Sequence, residues 1–102
     1  MDVATKITGE TLQITISGAV DTAAAEILRS ELIKAMIHKP KKVVMNLTLV
    51  PTMGSSGIGK ILMFFKSLDS NKVSFEIKGI HENVYSIFKA VKLDKLFPIS
   101  LK

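Results

Sequence analysis

Read as apolar and polar positions, the chain divides into short blocks with two different periods. Leu12, Ile14 and Ile16 alternate with Gln13, Thr15 and Ser17, the pattern of a half-buried strand. Residues 3 to 8 form a weaker strand before it. Thr8-Gly9-Glu10-Thr11 supplies a turn, so the two strands are predicted to pair as a hairpin. Beyond Gly18 the period changes. Ala24, Ile27, Leu28, Leu32, Ala35 and Met36 recur at helical spacing, behind a cap offered by Asp21 or Thr22. His38-Lys39-Pro40 ends that helix, because proline has no N–H to continue it.

Val43 to Leu47 is apolar except for Asn46, and its β-branched start predicts a strand. Following a helix, it is expected to run parallel to a neighbour and to be buried on both faces. The loop Thr48 to Gly54 leads into a second helix, with Ile58, Ile61, Leu62, Phe65 and Leu68 as its inward stripe. Lys60, Met63 and Ser67 face away from that stripe, and Phe64 lies at its border. Val73, Phe75 and Ile77 alternate as a further strand, and Val84, Ile87, Phe88 and Val91 mark a third helix. The apolar tail, Leu93, Leu96, Phe97 and Ile99, is expected to fold back as a short edge strand whose pairing Pro98 limits. The order ββαβαβα plus a short C-terminal element implies an α/β sandwich with a mixed β-sheet and helices packed mainly on one face. It is read as one domain over residues 1–102.

Composition acts mainly by exclusion. There is no cysteine, so disulfides and thiolate metal sites are ruled out. The start of the chain lacks the layout of a signal peptide. The longest apolar runs, such as Ile61 to Phe65, fall far short of the ~20 residues that span a bilayer. These features predict a cytoplasmic protein without membrane insertion. The net charge is +5, from 14 basic and 9 acidic residues. The lysines are scattered, no aromatic residues interleave with them, and Arg29 is the lone arginine. A solvated surface is therefore expected in place of a nucleic-acid interface.

Chemistry concentrates between Gly54 and Gly59. Gly54-Ser55-Ser56-Gly57-Ile58-Gly59-Lys60 satisfies the phosphate-loop pattern G-x-x-x-x-G-K, but Ile61 stands where that motif needs a hydroxyl for magnesium. A serine nucleophile would need a base and an orienting group, and only His38 and His81 are available. No catalytic residue, cofactor or metal is predicted. By composition alone the segment is a turn with a serine capping a helix.

The surrounding pattern adds to this. Gly18-Ala19-Val20-Asp21, Val44-Met45-Asn46-Leu47, Ser55-Ser56-Gly57-Ile58-Gly59, and then Lys78-Gly79, Val84, Ile87 and Leu93 to Phe97, together resemble the STAS domain family. That family is named for sulfate transporters and anti-sigma factor antagonists. The serine turn resembles its D-S-S-G-[LI]-G motif, with Gly54 standing in place of the aspartate. The resemblance implies a STAS-like sandwich and a binding protein that is not an enzyme. In antagonists of this type the first serine is phosphorylated by an anti-sigma factor that is also a serine protein kinase, and a serine phosphatase resets it. Carried over, the phosphorylation site is Ser55, with Ser56 as second choice. Asp21, Gly54, Ser55, Ser56, Gly57, Gly59, Lys60, Met63 and Ser67 would form the partner surface of a monomer or weak dimer. The alternative within the family is a non-switching scaffold subunit, in a stress-signalling assembly or beside the ATPase of a phospholipid transporter.

Overall fold

The computed structural model describes residues 1–101. Strand β1 (Asp2–Thr8) pairs antiparallel with β2 (Thr11–Ser17), and helix α1 (Thr22–Ala35) follows. Strand β3 (Lys42–Leu49), helix α2 (Ser55–Ser70), strand β4 (Ser74–Ile80), helix α3 (Glu82–Ala90) and strand β5 (Ile99–Leu101) complete the chain, with short 3₁₀ turns at Met36–His38 and Leu93–Lys95. The sheet order is β1-β2-β3-β4-β5, and every pair after the hairpin is parallel. The tail strand thus forms as expected. Its entry is productive despite Pro98, whose carbonyl accepts from the Ile77 amide at 3.0 Å.

The topology explains where the core lies. Each crossover from β2 to β5 advances one strand in the same direction. Right-handed crossovers that never reverse put their helices on one face of the sheet. For that reason β3 is not buried on both faces, as its apolar run suggested. Val43, Met45 and Leu47 are fully buried beneath the helices, whereas Val44 and Asn46 are half-buried on the uncovered face. That face is polar, and Glu76 there lies between Lys42 at 3.2 Å and Lys78 at 4.0 Å.

The helical stripes also shift in detail. In α1 the buried residues are Ala24, Ala25, Leu28, Leu32 and Ala35, and Ile27 is 55% exposed. Ile27 sits about 100° around the helix from Leu28, off the stripe that the two alanines define. In α3 only Val84 and Phe88 are buried, while Ile87 and Val91 are exposed. In α2 Phe64, expected at the border, is buried, and Leu62 and Phe65 are half-buried. The cause is an aromatic cluster. Phe64 meets Phe75 edge-on with centroids 6.0 Å apart, and Phe97 from the tail lies 4.8 Å from Phe75 and 5.0 Å from Phe65. Such pairs each contribute about 0.5–1.5 kcal/mol beyond their buried area.

Candidate functional site

The serine turn is positioned by backbone. After β2 ends, the Gly18 amide donates to the Leu49 carbonyl at 2.9 Å and the Val20 amide to the Thr52 carbonyl at 3.0 Å. The Gly54 amide returns a bond to the Val20 carbonyl at 3.0 Å. Val20 and Met53 form an isolated parallel bridge, so β2 is prolonged alongside the loop that precedes α2. Both helices therefore start at one end of the sheet, Asp21 one residue past the bridge on one side and Gly54 one residue past it on the other.

Asp21 is exposed and its Oδ1 accepts the Ala24 amide at 2.8 Å, which makes it the cap of α1. The cap of α2 is Gly54, in extended backbone and with no side chain to bond the first turn. Neither serine caps the helix. Ser55 and Ser56 are its first two residues, exposed and half-buried respectively. The Gly54 carbonyl accepts from the Gly57 and Ile58 amides. The amides of Ser55 and Ser56 precede the helical ladder and lie at its positive end, open to an acceptor from outside.

The two glycines of the turn do different things. A Cβ on Gly57 would lie 2.8 Å from Val20 Cγ1 and 2.9 Å from Met53 Cγ, so only glycine lets the helix approach the bridge this closely. A Cβ on Gly59 would meet nothing within 4 Å. Gly59 is the residue one turn beyond Ser55, so the serine hydroxyl has no side chain beside it there.

Below the turn, Lys60 bonds Glu26 of α1 at 3.1 Å, Met63 is 67% exposed and Ser67 is exposed. The structure brings the expected surface residues together at the start of α2 and along its flank toward α1, except Gly57, which is buried against Val20 and Met53 and offers a partner no surface. Sequence reasoning missed the residues that brace them. Val20 and Met53 form the bridge, and Glu26 holds Lys60. The loop is tied from its far side by His81, whose Nε2–H donates to the Thr48 carbonyl at 2.7 Å, and by Asn83, whose amide donates to the Pro51 carbonyl at 2.7 Å. Of these, only Val20 carried a signal, as part of the Gly18–Asp21 segment.

The geometry also bears on the phosphate-loop and nucleophile patterns. The helix begins at Ser55, so most of the G-x-x-x-x-G segment is helical and does not form an open loop of the kind that cradles a phosphate. Ile61 is fully buried and Lys60 is engaged by Glu26. His81 is committed to Thr48, and His38 lies in the 3₁₀ turn after α1. Among the described residues no group of three or more His, Asp or Glu side chains is placed to hold a metal ion. No helix among them is long and apolar enough to cross a membrane.

Comparison with known proteins settles the family. The profile of the STAS domain matches residues 2–102. The chain belongs to the STAS domain family. Solved structures with this fold include an anti-sigma factor antagonist from Mycobacterium paratuberculosis, 19% identical with a TM-score of 0.89, covering 99% of this chain and 86% of that one. The Bacillus cell fate determinant SpoIIAA in its phosphorylated form is 19% identical with a TM-score of 0.76, covering 99% and 93%. A sulfate transporter family protein from Wolinella succinogenes is 14% identical with a TM-score of 0.79, covering 93% and 80%. At these identities the likeness is one of fold. This STAS chain therefore shares its architecture with an anti-sigma factor antagonist and with a sulfate transporter family protein alike.

Proposed function

We propose that the chain is an anti-sigma factor antagonist. It binds an anti-sigma factor that is also a serine protein kinase, through the Ser55-Ser56 start of α2, and is released when Ser55 is phosphorylated. The observation that carries this reading is an exposed serine on the first turn of a braced helix, beside open amides and a missing side chain at Gly59. A phosphate there adds about −1.5 to −2 charges. The helix start tolerates that charge, so the fold survives modification. A docked partner does not tolerate it as well, because the charge must be desolvated inside the interface. Asp21, Gly54, Gly59, Lys60, Met63 and Ser67 complete the contact surface, and a serine phosphatase reverses the modification. The protein acts by binding, not by catalysis, and nucleic acid is not its partner. A neighbouring fold whose phosphorylated form is itself a solved structure supports this reading.

One observation favours the second reading, a non-switching scaffold subunit. Gly54 gives the turn no side-chain cap where the family pattern has aspartate. Two measurements decide. Mass spectrometry of the protein from its native cells, with peptide mapping across Pro51 to Lys66, is expected to find phosphate on Ser55. In a binding assay with the co-purifying kinase, Ser55→Asp is expected to lose affinity by tenfold or more with no loss of melting temperature. Unmodified Ser55 in growth and stress, with Ser55→Asp binding as wild type, would assign the scaffold role.

A further inference from the structure

South of the serine turn, α1 and α2 lie side by side and leave a groove of about 300 Å³ between them. Leu32 and Phe64 floor it, and Ile33 and Met63 stand on its walls, 59% and 67% exposed. At Met36 and Ser67 it runs on into a second hollow at the far end of the two helices. The charged residues along this trough are Arg29, Lys60, Lys39, Lys41 and Lys72, and no carboxylate lines it. Lys60 and Lys41 are paired with Glu26 and Glu10. Among the described residues Arg29, Lys39 and Lys72 make no ion pair.

We infer that this trough receives an acidic amphipathic helix of the partner, its apolar stripe on Ile33, Met63 and Phe64 and its carboxylates toward Arg29, Lys39 and Lys72. The inference deepens the docking reading above, on which it rests for the existence of a protein partner, by naming the element that docks. Shape and charge select this occupant. A concave apolar channel flanked by two helices accepts a third helix laid along it, reading anchors at i, i+3, i+4 and i+7. A bilayer is too flat to enter the channel. A second copy of this chain, at net charge +5, would bring like charges together. Along α2 the lining runs from Lys60 to Asn71, about 16 Å, enough for about three turns of a partner helix.

The test is selection from a phage-displayed library of helix-forming 16-residue peptides on the immobilised protein. Enriched clones are expected to carry Asp or Glu beside apolar residues at helical spacing. They are expected to bind Arg29→Glu and Met63→Glu at least tenfold more weakly; both positions are exposed, and unchanged circular dichroism of the variants confirms that they fold. Basic or neutral clones, clones indifferent to both substitutions, or an empty selection overturn the inference. So does flotation with phosphatidylglycerol vesicles, or dimerisation abolished by Met63→Glu, in place of peptide capture. Clones that respond to Ser55→Asp but not to Arg29→Glu sit on the turn and also overturn it. The switch reading fails separately, when Ser55→Asp keeps its kinase partner whatever the peptides do.

Discussion

The C-terminal half of α2 is held by rings and its N-terminal turn by backbone. Phe64 and Phe65 pack with Phe75 and Phe97 across helix, sheet and tail, where burial and ring contacts supply stability. At the other end the helix carries two serines and two glycines, and its place is set by the bonds among Val20, Thr52 and Gly54. Apart from Ile58, which is buried in the core, this first turn carries no large side chain, and backbone bonds take the place that rings hold at the other end. The switch proposed above would benefit from this division, since a phosphate on exposed Ser55 would touch little of the core.

The comparison can be broken at either end. Phe97→Ala removes a ring shared by two aromatic contacts and is expected to cost about 3–5 kcal/mol in denaturant unfolding. The molecules that remain folded should still bind a partner. Gly57→Ala acts at the thin end. Overpacking against Val20 and Met53, about 1–3 kcal/mol, exceeds the roughly 1 kcal/mol alanine gains in a helix, so a net loss of up to about 2 kcal/mol is expected. Gly59→Ala, two residues on and facing open space, should instead raise stability by about 0.5–1 kcal/mol. If the two alanine variants shift the melting temperature in the same direction, the close approach at Gly57 is not what orders the turn. The smallest effect belongs to Gly54→Asp. Backbone and space at Gly54 admit any side chain, with Val20 O the nearest atom at 3.8 Å to an added Cβ. A carboxylate there would cap α2 and is expected to add a few tenths to about 1 kcal/mol in thermal unfolding.

Where local period decides structure, the sequence was readable. Leu12, Ile14 and Ile16 face the core as their alternation predicts, and Asp21 caps α1 through its own carboxylate. What could not be read is set by assembly. Val44 is half-exposed because the crossovers all advance one way, a property of strand order and not of residues 43 to 47. Phe64 is drawn inward by Phe75, which is distant in sequence. The cap of α2 falls on Gly54, although serine is the stronger capping residue, because the Val20 bond fixes the chain one residue earlier. The placement of Asp21 and Ser55 at one end of the sheet followed the motif, whereas Glu26, Met53 and His81 entered through tertiary contacts that no local pattern announces.

If Ser55 is phosphorylated as proposed, the Val20–Met53 bridge also determines what the kinase must recognise. The turn has two flanks that come from separate stretches of the chain, joined only when the sheet is built. A synthetic peptide copied from Pro51 to Lys66 carries every letter of the motif and lacks one wall of the epitope. Specificity for this serine would therefore reside in a folded shape, so that unfolding the domain would erase the address even though the written motif persists.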